Sequence, residues 1–252
     1  MLIERISSVY KRISHAAMRA GRSPEEVRLV AVTKTVDHTV VREAIDAGLR
    51  VFGENRVQEA QQKIAALAVE LRAIRVEWHL IGHLQKNKAK HAVLLFDLIH
   101  SVDSLELARE LDRHAEKAGK IQDILIQVKL SEEETKHGIA EEEAMRLLEP
   151  LTALPHLRVK GLMTMPPLFD DPEPARPYFR RLRQLRERAE REGYRLPELS
   201  MGMSGDFEVA IGEGATMVRI GADIFGARPE QRRRCSPAAV EQRLAAGERS
   251  RE

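Results

Sequence analysis

Lys34, at the end of a short apolar run, is the first residue of this sequence that could do chemistry. The run 29–33 is partly β-branched and typical of a strand buried on both faces of a parallel sheet. Lysine is rarely buried without a partner or a task, and α/β folds bind ligands at the carboxyl ends of their parallel strands. The Lys34 amine could therefore attach a carbonyl compound as a Schiff base. A lysine at a strand end can also simply extend its ammonium group into water.

Two glycine-containing segments, 200–206 and 218–223, have the composition of anion-binding turns. Each leads from an apolar run into a short helical pattern, and together they offer Ser204, Gly221 and Ala222. Backbone N–H groups at helix starts and a serine hydroxyl are typical phosphate ligands. In a TIM-type barrel these turns would follow strands seven and eight, where phosphate sites are common. Glycine at a strand–helix turn also serves plain turn geometry.

Arg219 interrupts the otherwise apolar run 217–220. An arginine on a buried strand needs either an ion-pair partner or a ligand. An amine, a phosphate-binding turn and an arginine together match the aldehyde, phosphate and pyridine nitrogen of pyridoxal phosphate. The residues therefore indicate this cofactor.

His79 and His83 have the i, i+4 spacing of zinc-binding helices, which could indicate a metal site. The intervening residues 80–82 have a strand pattern, and four residues of strand span about 13 Å. The glutamate of the zinc motif is also missing. The sequence therefore predicts no metal at this pair.

The elements that must position these residues alternate between strand and helix patterns. Strand-like runs occupy 27–33, 50–53, 76–81, 97–102, 121–130, 157–163, 198–203 and 215–221. Eight strands in about 250 residues predict a single α/β domain, a (β/α)8 TIM-type barrel. A doubly wound open sheet is the alternative.

Three helices are the most clearly marked. The segment 2–20 has one apolar face and predicts an extra N-terminal helix before the first strand. The segment 174–192 also has one apolar face and predicts a helix, which Gly193 terminates. Its apolar face consists of Tyr178, Leu182, Leu185 and Ala189. A third helix is predicted to open at Asp103, with Glu106 closing a capping box.

Composition excludes several classes of protein. The chain has 252 residues, 43% of them hydrophobic, a formal net charge of +2 and one cysteine, Cys235. These values favour a cytoplasmic protein without a disulfide framework and do not call for a nucleic-acid partner. No apolar stretch approaches the length of a membrane span, and the charged N-terminus is not a secretory signal. We expect residues 1–228 to form the barrel and the Arg-rich segment 229–252 to be a polar, flexible tail.

Seven ordered motifs resemble one family, the pyridoxal-phosphate homeostasis proteins, whose members are similar to the barrel domain of alanine racemase. The resemblance spans roughly residues 1–228. The motifs are VAVTK at 30–34, FGEN at 52–55 with VQE at 57–59, WHLIG at 78–82 with LQ at 84–85 and NK at 87–88, Lys136 with GI at 138–139, KGLM at 160–163, LSMGMS at 199–204, and MVRIG at 217–221 with IFG at 224–226.

The resemblance implies a role for each matching position. Lys34 is the Schiff-base lysine, and Arg219 faces the pyridine nitrogen. Ser204 and the backbone of Gly221 and Ala222 bind the phosphate. The remaining motif positions that line the pocket are Asn55 and His79.

The family is thought to buffer or deliver the cofactor without catalysis. We therefore expect a pyridoxal phosphate carrier, a monomer with apo-enzymes as its possible partners. A racemase-like enzyme is the alternative, and a Schiff-base aldolase is a third possibility. Racemisation needs a base on each face of the substrate. None of the three tyrosines is predicted at a strand's carboxyl end, and we expect no second domain of the racemase type in these 252 residues.

Three positions depart from the family's pattern. Val36 replaces a frequent second lysine, so that residue cannot relay the cofactor; Lys136 is a candidate for that role. Arg56 replaces a common tyrosine. Ala222 replaces a common serine or threonine and removes one hydroxyl, which predicts weaker binding of the phosphate.

Overall fold

The computed structural model describes residues 1–72, 74–131 and 137–226, and their eight strands close into one barrel in sequence order. The strands are β1 (Arg28–Val32), β2 (Val51–Glu54), β3 (Glu77–Leu80), β4 (Leu98–Val102), β5 (Gln122–Gln127), β6 (Leu157–Met163), β7 (Glu198–Met203) and β8 (Met217–Ile220). The helices are α1 (Leu2–Arg19), α2 (His38–Asp46), α3 (Val57–Ala66), α4 (Ala89–Leu95), α5 (Leu105–Lys117), α6 (Glu141–Thr152), α7 (Arg176–Arg191), α8 (Phe207–Gly212) and α9 (Ala222–Phe225). The structure confirms the predicted barrel.

The barrel closes between its first and last strands. All neighbouring strands are parallel, and β1 pairs with β8 so that Val30 lies beside Arg219 and Ala31 beside Ile220. This pairing excludes the open sheet. It also brings the end of β8 next to the strand that leads to Lys34.

The main core fills the layer between the strands and the helices. It includes large, fully buried side chains from both, among them Phe52, Ile99, Leu111 and Phe179. The predicted N-terminal helix is present as α1, which packs on α8 and α9. Arg12 of α1 bonds to Glu208 at 3.1 Å and to Asp223 at 2.6 Å.

Two predicted helix details differ from the structure. Ser104 caps α5, because its hydroxyl accepts a 3.2 Å hydrogen bond from the Leu107 N–H, so the helix does not open at Asp103. The buried face of α7 includes Phe179, whereas Tyr178 is half-buried and lies beside Phe169 with ring centroids 6.2 Å apart.

Some predictions lie outside the described residues: the tail 229–252 with Cys235, and Lys136. Within the described part of the chain, no helix is long and apolar enough to span a membrane.

Candidate functional site

Lys34 lies just beyond β1 and lines a cavity of about 250 Å³ together with Gly221 and Ala222. The lysine and one of the two predicted anion-binding turns therefore share one cavity. Gly221 allows the end of β8 to approach β1 closely, because a Cβ atom there would lie 3.1 Å from the Val32 carbonyl oxygen. The half-buried side chain of Val36, where a second lysine is frequent in the family, lines the same cavity.

The backbone on both sides of Lys34 is tied to β2 and α3. Thr35 has a positive φ of 62°, which is uncommon for a residue other than glycine. Its N–H donates a 2.5 Å hydrogen bond to Glu59. On the other side, the Thr33 hydroxyl donates to Glu54 at 2.6 Å. Both hydrogen bonds restrict the backbone position of Lys34, and therefore the direction in which its side chain leaves the backbone.

A buried ammonium connects these two anchoring carboxylates. Lys63 donates to Glu54 and to Glu59, at 2.7 Å in each case, and also to the Thr33 carbonyl oxygen. Burial raises the pKa of Glu54, and its hydrogen bonds from Lys63 and Thr33 partly offset this rise. We call Glu54, Glu59 and Lys63 the anchor cluster.

Arg219 is a buried cation in β8 with an exposed fraction of 3%. Its Nη1 donates to the Ser200 hydroxyl at 2.6 Å, and its Nη2 donates to the Thr164 carbonyl oxygen at 2.9 Å. Burial lowers the pKa of Arg219 to about 10, and the negative charge of Asp206 opposes this shift. Among the described residues no carboxylate lies within ion-pair distance of this guanidinium, whose hydrogen-bond partners are a hydroxyl and a carbonyl oxygen. It therefore retains unused donors inside the barrel.

A line of polar side chains continues from Arg219 through the barrel interior. The Ser200 hydroxyl lies 2.9 Å from Nδ1 of His100, and Nε2 of His100 lies 3.1 Å from Nδ1 of His79. Nε2 of His79 in turn lies 3.7 Å from Glu77. The pKa of His100 is held well below its usual value, first by burial and then by the nearby His79 and Arg219.

His79 is not on the cavity that Lys34 lines. It is the third residue of β3 and lines a cavity of about 320 Å³ among residues from the amino ends of the strands, such as Arg28 and Glu77. The predicted contact of His79 with the cofactor therefore stays a prediction. The contact between His79 and Arg219 runs through His100 and Ser200, because the β3 side chain enters the barrel interior.

Ser204 lies in the half-buried turn after β7. The Asp206 carboxylate shapes this turn by accepting a 2.6 Å hydrogen bond from the Met203 N–H. Gly202, with a φ of 92°, permits the close approach to α8, since a Cβ atom there would lie 2.6 Å from that of Ala210. Ser204 itself is not among the residues that line the Lys34 cavity.

Asn55 follows β2 and lines a neighbouring cavity of about 450 Å³ together with Arg56 and His83. The backbone of Gly82 packs directly on it, because a Cβ atom at Gly82 would lie 2.3 Å from the Asn55 carbonyl oxygen. Of the seven predicted cofactor-binding residues, the structure brings Lys34, Gly221 and Ala222 onto one cavity.

Several residues of this site were not predicted, although each left a signal in the sequence. His100 and Ser101 interrupt the apolar run of β4, as Arg219 does in β8. Lys63 falls on the apolar face of α3 with Val57 and Ala60. Charged or polar residues at buried positions generally need partners.

The fold and this site define a barrel of the alanine racemase N-terminal class. The family model described as "Alanine racemase, N-terminal domain" matches residues 7–229. A pyridoxal phosphate homeostasis protein of Aquifex aeolicus is 49% identical over 226 residues, which cover 89% of this chain and 97% of that protein. The chain belongs to the family of pyridoxal phosphate homeostasis proteins.

Solved structures agree with this assignment. PipY of Synechococcus elongatus, whose structure was solved with PLP bound, is 38% identical with a TM-score of 0.78; the match covers 90% of this chain and all of PipY. An alanine racemase of Clostridium difficile is similar in fold alone, at 17% identity and a TM-score of 0.65, over 87% of this chain and 56% of that one.

Proposed function

We propose that this protein binds pyridoxal phosphate through Lys34 and acts in homeostasis of the cofactor rather than in catalysis. Two similarities support the proposal: the relatives carry this name, and PipY was solved with PLP bound. The observation that carries it is Arg219, a buried cation with unused donors and no carboxylate at ion-pair distance among the described residues. A guanidinium only donates hydrogen bonds, so it can bind an uncharged acceptor such as the pyridine nitrogen.

The residues present fit the three polar parts of the cofactor. Arg219 would donate to the ring nitrogen, and its positive charge would disfavour protonation there. The N–H groups of Gly221 and Ala222 and the Ser204 hydroxyl would hold the phosphate. The Lys34 amine would hold the aldehyde carbon, with loss of water. The bound cofactor supplies an electrophilic carbon and an electron-withdrawing ring.

The two other predicted residues act less directly in this proposal. Asn55 lies at the rim, in the cavity next to the site. His79 positions Arg219 through His100 and Ser200. The anchor cluster positions Lys34 from the opposite side of β1 by holding Thr33 and Thr35.

The proposed role is carriage in the cytoplasm by a monomer that exchanges the cofactor with apo-enzymes. Racemisation is the alternative, because alanine racemases share the fold. It requires a second proton-transfer group opposite Lys34. The tyrosines Tyr10, Tyr178 and Tyr194 do not line the Lys34 cavity, which favours the carrier.

The test is a titration of cofactor-free protein with pyridoxal phosphate, followed by visible absorbance. Wild type should develop a saturable yellow band. Lys34→Ala should lose it, whereas Lys90→Ala, a control at an exposed lysine of α4, should keep it. A band that persists in Lys34→Ala would contradict the attachment.

The choice between carrier and racemase needs a second assay. L- and D-alanine are incubated with loaded protein in deuterated water, and exchange and configuration at the α-carbon are measured. Slow exchange with retention fits a single base, Lys34. Inversion at an enzymatic rate would replace the carrier with the racemase.

A further inference from the structure

Three potential metal ligands converge at the carboxyl ends of three consecutive strands. His83 follows β3, Asp103 follows β4, and His137 follows the segment after β5. One ligand atom from each lies within 4.8 Å of the others. We propose that His83, Asp103 and His137 form a binding site for a divalent transition-metal ion of the Zn²⁺ type.

The geometry of the three side chains supports a shared ligand. Nδ1 of His83 lies 3.6 Å from Oδ2 of Asp103. The rings of His83 and His137 are stacked, with centroids 3.9 Å apart and planes 10° from parallel. Ser104, and not Asp103, provides the side-chain cap of α5, so the Asp103 carboxylate is not used by that helix start.

The backbone positions of these residues are fixed by the barrel. β3 and β4 are paired directly. The His137 carbonyl oxygen accepts a 3.0 Å hydrogen bond from the Gln127 side chain, and Ile139 forms backbone hydrogen bonds of 2.8 and 3.0 Å to Lys129 and Gln127. The three ligands therefore come from anchored positions, which reduces the entropy lost when an ion binds.

The ligand types select the class of ion. Two imidazoles and one carboxylate suit Zn²⁺, Co²⁺ or Ni²⁺, whereas Mg²⁺ and Ca²⁺ prefer oxygen alone. Zn²⁺ lies about 2.0–2.2 Å from such ligands, so tetrahedral ligand atoms are roughly 3.3 Å apart. The ligand atoms now lie within 4.8 Å of one another. Both histidines are exposed, so their side chains can rotate to shorten these separations to the tetrahedral value.

Three protein ligands leave a fourth coordination position open, as in catalytic zinc sites. His83 also lines the cavity that contains Arg56 and Lys88. An anion on the metal would share that cavity with two cations. The ligands lie on the β3–β5 side of the barrel, and none of them lines the Lys34 cavity. We therefore expect the metal to bind cofactor-free protein.

The experiment is a titration of tag-free, cofactor-free protein with Co²⁺, followed by its visible d–d absorbance, with Zn²⁺ as competitor. A Cys235→Ser background removes the only thiol. Wild type should bind about one ion per chain. His83→Gln, Asp103→Asn and His137→Gln should each weaken binding at least about tenfold.

His91→Gln, at an exposed histidine of α4, is the matched control and should leave binding unchanged. Zn²⁺ should raise the Tm of wild type and of this control but not of the three ligand variants. The melting curves of the metal-free variants also verify that they fold. The proposal is overturned if binding is not saturable, or if the ligand variants bind like the control. Neither result affects the cofactor site, which is tested separately by the Lys34 band.

Discussion

Arg219 donates a 2.6 Å hydrogen bond to the Ser200 hydroxyl, and both residues are buried in the barrel. The same hydroxyl oxygen lies 2.9 Å from Nδ1 of His100. Ser200 therefore joins the cation proposed to face the ring nitrogen to the histidine pair in the barrel interior. Barrel interiors are normally filled with branched apolar side chains. This line of polar groups therefore indicates a functional role in addition to core packing.

Ser200→Ala should lower both stability and cofactor affinity. The change leaves a buried arginine donor and a buried histidine nitrogen without their partner, which costs about 1–3 kcal/mol. Urea unfolding of cofactor-free protein measures the first effect, and a pyridoxal phosphate titration the second. Unchanged affinity would show that the contact does not position Arg219 for a ligand.

Ser204→Ala should weaken cofactor binding with little change in the free energy of unfolding. Its half-buried hydroxyl donates no hydrogen bond within the described part of the protein, and a charge-assisted bond to phosphate contributes roughly 1.5–3 kcal/mol. Ala222→Ser, which restores a hydroxyl common in the family, should tighten binding by less. The same titration measures both variants. If neither affinity changes, the phosphate does not bind at these turns.

Lys63→Met should destabilise the fold by about 3–5 kcal/mol, because it leaves the buried Glu54 carboxylate without its counter-ion. Adding Glu54→Gln removes that charge and keeps an acceptor for Thr33, so the double variant should recover part of the loss. Urea unfolding of the two single variants and the double variant gives the coupling energy. Strict additivity would contradict the paired arrangement of the anchor cluster.

Acid should destabilise the protein below pH 6.5 through His100. Burial holds the pKa of His100 in the folded protein well below the ordinary histidine value of about 6.5, so below that pH the unfolded chain takes up a proton that the folded chain does not. Stability therefore falls as pH falls, by up to about 1.4 kcal/mol per pH unit. The contribution of neutral His100 to the free energy of unfolding is fully present above pH 6.5.

Urea unfolding at several pH values, in wild type and His100→Gln, measures this effect. The variant should lose part of the slope below pH 6.5, and His91→Gln should retain it. An identical slope in wild type and His100→Gln would contradict the assignment to His100.

The strands were predictable because each buried parallel strand is a short apolar run between turn signals. The eight observed strands fall at the predicted places, with ends that differ by three residues or fewer. Lys34 and Arg219 were identifiable as candidates for the same reason: each breaks or ends such a run. Helix ends were less predictable. Asp103 and Ser104 both belong to residue types that often cap helices. Only the backbone conformation in the structure shows that Ser104 accepts the hydrogen bond.

The partners of the site residues could not be derived from local patterns. His100 and Ser200 are a hundred positions apart and meet only because their side chains, on β4 and β7, both enter the interior of the closed barrel. The depth of His79 in the barrel could not be derived from its motif either. A motif places a residue on a strand, whereas its depth in the barrel depends on the register of all the strands.

The attachment of the cofactor to Lys34 is tested most directly by chemical trapping. Protein loaded with pyridoxal phosphate is reduced with borohydride, digested and analysed by mass spectrometry. The phosphopyridoxyl group should be found on the peptide that contains Lys34, in stoichiometric amount, and should be absent after reduction of Lys34→Ala. Stoichiometric labelling of another lysine, with Lys34 unmodified, would contradict the account.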